Sequence, residues 1–399
     1  MISTQTLEIS QQEYHHRLSS LQEELDRRNL SGAVLFDRDY ILYYCGFAFI
    51  PTERPVAFIL SQEGETALFV PRLEMEHAAV SATVDHIESY IEYPGETHPM
   101  EFLIGIIRSL DIQPPYGADQ DGYPWIFGYR GPALSTLLNE APVILRAFIE
   151  EQMAIKSPAE LALIIESVKW GNYAHTLLQR YTKIGESETV VSLRASMEAT
   201  LAMLDSIGPV YRSQSAFSPG VEAGYRGQIG RNAAIPHAMS NNIIFQSGDV
   251  LVSGAGAPVW GYNSELERTM ILGQPSDRQK FFFDHMCSLQ ELAISAIEPG
   301  IECSEVDRIV RNYYEEKDLF PYWRHHSGHA IGLRYHESPF LDIGDHTIIR
   351  PGMVFTIEPG LYDPELGGFR HSDTVVVKDA GAEVLTYYPR DLDSLTIKP

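Results

Sequence analysis

Apolar residues recur at helical spacing in some segments of the chain and form short alternating or continuous runs in others. In the first part of the chain these patterns predict helices over 11–30, 77–82 and 101–110, and strands over 33–36, 40–47, 56–60 and 66–70. Helix-like and strand-like segments that alternate in this way are typical of an α/β unit.

A helix-start signal in the middle of the chain marks a domain boundary. Ser157 is a good N-cap residue, Pro158 suits the first helical position, and Glu160 stands where a capping box needs a carboxylate. We therefore predict two domains, 1–155 and 156–399, the second opening with a helix to about Tyr181. The pattern beyond it predicts strands over 249–253, 270–272, 355–358 and 374–377, and helices over 279–297 and 304–317.

Composition and charge narrow the class of protein. The 399 residues are 44% hydrophobic and 21% charged, as in ordinary globular proteins. We expect no membrane span, no signal peptide and, with three widely spaced cysteines, a reduced cytoplasmic protein. The net charge of −24 argues against nucleic acid or membrane as partner. That charge fits either plain solubility or a halophile's salty cytoplasm.

Two glutamates in the segment before the apolar run 270–272 are the strongest chemical signal. Side chains two apart on a strand share a face, so Glu265 and Glu267 should point the same way and Arg268 the opposite way. Two carboxylates on one face repel each other, and the pKa of one of them should rise. Such a pair can hold a cation or divide the roles of nucleophile and acid/base, whereas a solvated strand edge is the alternative.

Histidines cluster among small residues further along the chain. In the segment 325–332, His329 is the best acid/base candidate, His326 is a weaker one, and His325 fits packing. His336 follows closely. His237 lies in a loop before the glutamate segment, where a simple surface histidine is the alternative.

The last polar positions lie at strand ends. Glu358 precedes a Pro-Gly turn, where its carboxylate could orient a base or a substrate cation. Asp373 fits a structural role. We expect His371 and Ser372 to face the site by strand alternation.

Two motifs carry a family resemblance: Gly-His-Ala-Ile-Gly at 328–332 and Pro-Gly-Met-Val-Phe-Thr-Ile-Glu-Pro-Gly at 351–360. With them the whole chain resembles the superfamily of creatinases, prolidases and methionine aminopeptidases. The resemblance implies an α/β (α+β) fold with a creatinase-type N-terminal α/β domain and a C-terminal pita-bread catalytic domain. It also implies a homodimer.

The metal ligands of that superfamily are incompletely matched. The resemblance implies two metal ions held by two Asp, one His and two Glu, which fall on Gly254, Glu265, His329, Glu358 and Ser372. Glycine supplies no side-chain ligand, and a neutral hydroxyl is a poor substitute for a bridging carboxylate. We therefore expect no metal and no other cofactor, as in the metal-free branch of the superfamily.

Within that branch the chain is most similar to ectoine hydrolases. The run 266–269, Leu-Glu-Arg-Thr, resembles a substrate-binding motif of creatinases, and His237 falls on their catalytic histidine. Glu265 in addition to Glu267 brings the chain closer to ectoine hydrolases, and the acidic balance fits a salt-tolerant host.

The resemblance implies opening of the cyclic amidine ring of ectoine to N-acetyl-2,4-diaminobutyrate through a glutamyl covalent intermediate. Glu265 would be the nucleophile, with Glu267 the second choice. His329 and His237 would carry protons, and Glu358 would orient the reacting groups. The residues predicted to bind substrate are His326, His336, Arg334, Arg370, His371 and Tyr262.

Three alternatives stay open: a creatinase-like amidinohydrolase, a Xaa-Pro-type metallopeptidase, and a non-catalytic binding module. Several convergent titratable groups argue against the last of these. The preference between ectoine and hydroxyectoine, which differ by one hydroxyl, stays undecided.

Overall fold

The computed structural model describes residues 7–398, which divide into two compact units. One unit comprises Ile9–Gln152, and the other includes the chain from Met153 onward. The domain bounds 1–155 and 156–399 stay a prediction, since compactness alone does not define a domain that folds independently. Over the described residues, no helix has the length and apolar character needed to cross a membrane.

The first unit is built on a six-stranded mixed sheet. Its strands lie in the order β4-β3-β2-β1-β5-β6, and β1 is antiparallel to β2 but parallel to β5. The elements are α1 (Gln11–Arg28), β1 (Gly32–Leu35), α2 (Arg38–Cys45), β2 (Ala57–Ser61), β3 (Thr66–Pro71), α3 (Met75–Ser81), β4 (His86–Tyr90), α4 (Pro99–Ser109), β5 (Gly117–Ala118), α5 (Leu134–Leu138), β6 (Val143–Ile144) and α6 (Arg146–Ala154).

The strand predicted over 40–47 is wrong, because this segment belongs to helix α2. The side chain of Asp37 caps the helix by accepting hydrogen bonds from the backbone of Asp39 and Tyr40, and Gly46 ends it in a left-handed conformation. The helical residues 40–45 are all buried. Because this helix has almost no polar side, its residues form a continuous apolar run. Periodicity alone cannot distinguish such a run from a buried strand.

The second unit contains a nine-stranded sheet packed against long helices. The main path of the sheet is β11-β10-β12-β15-β9-β8-β7, with β16 beside β15 and β17 beside β9. The elements are α7 (Pro158–Tyr181), α8 (Glu188–Ile207), β7 (Glu222–Gly224), β8 (Val250–Gly256), β9 (Leu266–Leu272), α9 (Asp277–Ala296), α10 (Cys303–Glu316), β10 (Gly328–Ala330), β11 (Glu337–Leu341), β12 (Val354–Ile357), β13 (Gly360–Asp363), β14 (Gly367–Arg370), β15 (Ser372–Lys378), β16 (Gly381–Val384) and β17 (Thr396–Ile397).

The predicted capping box of α7 is confirmed. The hydroxyl of Ser157 accepts a hydrogen bond from the backbone of Glu160, whose carboxylate accepts one from the backbone of Ser157. Every residue of β9 is buried, in keeping with a central strand of the sheet. The predicted α/β class is thus confirmed in both units.

Strand register places three chemically important positions side by side. On β9, Glu267 lies directly opposite Gly254 of β8 on one side and opposite Ser372 of β15 on the other. Arg268 points to the opposite face, as predicted, where its Nη2 donates to Asp373 Oδ1 at 2.7 Å. The face that carries Glu267 is the one on which the site is built.

Candidate active site

Three titratable side chains converge in the second unit. Glu265 immediately precedes β9, His329 lies in β10, and Glu358 follows β12 directly. One nitrogen or oxygen atom from each lies within 4.8 Å of the other two. Because β10, β12, β15 and β9 are successive neighbours in the sheet, residues from distant parts of the chain meet here. We call these three residues the acidic cluster.

His329 is buried and held in one orientation. Its Nδ1 donates to the carbonyl of Ala330 at 3.0 Å, and its Nε2 lies 3.2 Å from Glu358 Oε1 without the alignment of a good hydrogen bond. Burial lowers the pKa of His329, but the contact with Glu358 and the charge of Glu265 outweigh it, so the pKa is raised. Burial raises the pKa of Glu358, yet His329 and Arg370 bring it below its usual range. His329 and Glu358 therefore form an ion pair.

Glu265 is the least neutralised carboxylate of the site. The hydroxyl of Ser372 donates to its Oε1 at 2.6 Å, and the Thr374 hydroxyl bonds to the backbone of Glu265. Burial, followed by the charges of Glu358 and Glu267, raises the pKa of Glu265 to about 7. Glu265 also lines a cavity of about 410 Å³.

Glu267 is neutralised by two arginines. Arg370 donates to both carboxylate oxygens, through Nε to Oε2 and through Nη2 to Oε1 at 2.8 Å. Arg226 adds a third bond, from Nη2 to Oε1 at 2.8 Å. The side chain of Arg370 is only 3% exposed, and its Nη1 donates to the Tyr362 hydroxyl at 3.0 Å. Arg370 is therefore fully held by protein groups. It is not placed to bind substrate as predicted.

Two of the other predicted histidines, His336 and His326, lie beside His329. The ring of His336 stacks on that of His329 with centroids 3.9 Å apart, and the ring of His326 meets it edge-on at 6.3 Å. Burial, followed by the charge of His329, lowers the pKa of His336 to about 4. His237 is exposed, yet close enough to His336 for its charge to lower that pKa further. His325 bonds to the Tyr362 hydroxyl at 2.7 Å.

Two residues predicted to bind substrate lie outside the site. His371 is fully buried, with Nδ1 accepting from the backbone of Thr269 and Nε2 donating to the carbonyl of Arg390. Successive side chains of an extended segment alternate between faces, so His371 turns away when Ser372 faces the acidic cluster. The Tyr262 hydroxyl donates to Glu160 Oε1 at 2.7 Å in the interior. Neither side chain reaches the acidic cluster in this structure, and substrate binding by either residue stays an untested prediction.

Arg334 does not line the cavity either, and its backbone donates to Glu337 Oε1 at 3.1 Å. Sequence reasoning missed Arg226, which does line it. Arg226 lies in a loop without periodicity, where the following Gly227 was the sole signal of an unusual backbone. Also missed was the buried ion pair between Lys156 Nζ and Glu337 Oε2, 2.8 Å apart. It anchors the strand that directly follows His336.

The donor set does not fit the two-metal centre that the resemblance implies. Gly254 supplies no ligand, and the Ser372 hydroxyl points its proton at Glu265. The guanidinium of Arg370 places a fixed positive charge 3.7 Å from Glu358 Oε2. Within residues 7–398, the acidic cluster is the one group in which three side chains of metal-binding type converge. A single catalytic metal ion is usually held by three protein ligands, so the cluster offers only enough ligands for one ion.

Comparisons with known proteins agree with this architecture. The model of metallopeptidase family M24 matches residues 173–379, and that of the creatinase/prolidase N-terminal domain matches residues 17–112. The structure of a Xaa-Pro dipeptidase from Bacillus anthracis superposes with a TM-score of 0.78 at 24% identity, covering 95% of this chain and 99% of that one. The predicted creatinase-type and pita-bread domains are thereby confirmed as folds.

Sequence relatives carry related names. The chain is 28% identical to a Xaa-Pro dipeptidase of Pyrococcus horikoshii over 382 residues, 95% of this chain and 99% of the relative. It is 31% identical to a Xaa-Pro dipeptidase of Pyrococcus furiosus over 244 residues, 61% of this chain and 66% of the relative.

Proposed function

We propose that this chain, which belongs to the metallopeptidase family M24, is a hydrolase that cleaves a carbon–nitrogen bond. We further propose that its substrate is a cyclic amidinium compound, ectoine, and that the reaction needs no metal. The homologues named above support the hydrolase class. The finer proposal depends on the chemistry of the acidic cluster and its neighbours.

One observation supports the choice of substrate. Two positions where the family resemblance implies carboxylate metal ligands are Gly254 and Ser372, and Glu267, which lies between them in the sheet, is bound to Arg370. This replaces two metal-binding carboxylates with a neutralised ion pair. Glu265, beside it, stays open to the cavity. An amidinium carbon is already electrophilic, and its positive charge favours a site lined by carboxylates. Such a substrate removes the need for a Lewis acid.

Glu265 is the proposed nucleophile. Its carboxylate oxygen forms a bond to the amidinium carbon, and the π electron pair of the C=N bond moves to the ring nitrogen. The second ring C–N bond then breaks, and the departing nitrogen takes a proton from His329 Nε2. Glu267 is a poor second choice, because arginine donors occupy both of its oxygens.

Water completes the reaction by attacking the glutamyl adduct and releasing Glu265. One proton of the water returns to His329, and the other ends on the released amine. The sum is one water consumed, one ring C–N bond cleaved and one amide formed. In this proposal Glu358 keeps His329 protonated, and His237 and His336 connect it to solvent.

A Xaa-Pro-type metallopeptidase is the second proposal, and the comparisons favour it over the first, because the relatives reported above are named Xaa-Pro dipeptidases. The acidic cluster would offer one ion three ligand atoms. The missing carboxylates at 254 and 372 weigh against this function.

The two proposals are separated by a single assay series. Purified protein is incubated with ectoine, with creatine and with a Xaa-Pro dipeptide, each with a chelator and with added divalent metal, and the products are identified by mass spectrometry. Ectoine opened at equal rates in chelator and metal supports the first proposal. Dipeptide cleavage abolished by the chelator, with stoichiometric bound metal, overturns it in favour of the second.

A further inference from the structure

The loop that follows β7 holds Arg226 in an unusual conformation. Arg226 has φ +52° and the next residue, Gly227, has φ +75°, so two consecutive residues are left-handed. A side chain at Arg226 makes this conformation costly, and surrounding structure must hold it. Glu188, buried in α8, does so by accepting hydrogen bonds from the backbone of Gly227 and of Asn241, both at 2.8 Å. The position of Arg226 is therefore built into the fold.

The guanidinium of Arg226 has donors to spare. Its Nη2 donates to Glu267 Oε1 at 2.8 Å and to Gln228 Oε1 at 3.4 Å, while Nε and Nη1 have no partner among residues 7–398. Its side chain is 53% exposed, in contrast to that of Arg370. Glu267 thus anchors one edge of the guanidinium and leaves other N–H groups available to a ligand.

The cavity of about 410 Å³ brings Arg226 and Glu265 to one space. Gly254 and Gly256 lie in its wall and leave it room, while Tyr335 and His336 border it from the loop before β11. Among the described residues, Arg226 is the arginine that lines it and no lysine does, so the cavity offers positive charge at one place and the carboxylate of Glu265 at another. Glu222 and Glu267 also line it and weaken the attraction of an anion, Glu267 less so because Arg226 and Arg370 neutralise it.

We propose that Arg226 is a carboxylate-binding subsite, so that the cavity selects small zwitterions whose reacting cationic carbon faces Glu265 and whose carboxylate bonds to Arg226. The Nε and Nη1 groups of Arg226 lie on different edges of the guanidinium, and each can donate a charge-assisted hydrogen bond to a carboxylate oxygen. For a cyclic amidinium acid the inference deepens the proposed function and rests on it. The subsite itself serves the carboxylate of a dipeptide equally well.

The test pairs Arg226→Gln with Arg231→Gln, a nearby exposed arginine that does not line the cavity. Each variant and the wild type are assayed with ectoine and with its analogue lacking the carboxylate, 2-methyl-1,4,5,6-tetrahydropyrimidine. We expect Arg226→Gln to raise KM for ectoine on the order of 10- to 100-fold with a much smaller change in kcat, since charged hydrogen bonds contribute that much. For the analogue, Arg226→Gln should match the wild type, and Arg231→Gln should match it with both compounds.

The outcomes separate the two proposals. Wild-type turnover of ectoine decides the proposed function, whereas the dependence of the Arg226 effect on the carboxylate decides the subsite. If the wild type cleaves a Xaa-Pro dipeptide instead, the same variants are compared on that dipeptide and its C-terminal amide. If it turns over neither, binding of the four compounds is measured by calorimetry. Equal losses with and without the carboxylate, no loss in Arg226→Gln, or no binding by the wild type overturns the subsite.

Discussion

Glu265 and Glu267 stand two positions apart on the same face of one extended segment, yet they occupy opposite electrostatic environments. Glu265 accepts one hydrogen bond from a neutral hydroxyl, has a raised pKa and borders the cavity. Glu267 also lines that cavity, but it is bound by two guanidinium groups and is 3% exposed. Glu265 therefore has an oxygen without a charged partner among residues 7–398, whereas both oxygens of Glu267 are bound by arginines.

The difference shows that partners, rather than residue type or spacing, assign the role of a carboxylate. A carboxylate with a raised pKa near neutrality can attack a carbon or exchange a proton. A carboxylate that neutralises a buried guanidinium mainly prevents the large cost of an unpaired charge. The experiments below are ordered by the size of the effect that separates these two roles.

The largest effect is expected from Glu265→Gln. An amide cannot attack the amidinium carbon, so kcat for ectoine should fall by roughly 10³-fold or more, as removal of a nucleophile does. Thermal unfolding should stay within a few degrees of the wild type, because only one neutral hydrogen bond is altered. Retention of a tenth of the wild-type kcat would show that Glu265 is not the nucleophile.

Glu267→Gln should instead destabilise the protein. It removes the carboxylate that accepts two hydrogen bonds from buried Arg370 and leaves only the more distant Glu358, so the free energy of unfolding measured in urea should drop by about 3 kcal/mol. The double variant Glu267→Met/Arg370→Met is the control, since removing both charges should restore much of the loss. If the single variant unfolds at the wild-type urea concentration, the ion pair does not have the assigned role.

A pH profile should resolve the same contrast more finely. The pKa of Glu265 is raised to about 7, so turnover should fall as pH decreases through that value and the nucleophile becomes protonated. The pKa of His329 is also raised, so its proton is present at neutrality and is lost at higher pH, where turnover should fall again. Ser372→Ala removes a hydrogen bond that favours ionised Glu265, and it should move the acidic limb to higher pH. If the acidic limb of the profile is unchanged in Ser372→Ala, that limb does not report the ionisation of Glu265.

The smallest effect is expected from Tyr262→Phe. Tyr262 was predicted to bind substrate, but its hydroxyl bonds to Glu160 instead. The variant should lose about 1 kcal/mol of stability, as for one buried hydrogen bond, with KM for ectoine essentially unchanged. A substantial rise in KM without loss of stability would show that the Tyr262 hydroxyl contacts the substrate.

Local signals in the sequence predicted the local parts of the structure. The capping box at Ser157, the shared face of Glu265 and Glu267 and the opposite face of Arg268 follow from spacing within a few residues. Helix α2 was missed because its buried residues leave little periodic signal. The binding of Arg370 to Glu267 joins residues 103 positions apart, and the position of Arg226 depends on a left-handed loop. Strand pairing and backbone geometry at this range cannot be obtained from periodicity.

The row Gly254–Glu267–Ser372 also constrains how such a site could change by mutation. A Cβ atom at position 254 would lie 3.6 Å from Glu267 Oε1, so an aspartate there would place its charge against that of Glu267. A glutamate at position 372 would do the same from the other neighbouring strand. We therefore expect a second carboxylate at position 254 or 372 to be tolerated only when Glu267 is replaced as well, so that a site with five metal ligands requires coupled changes at these positions.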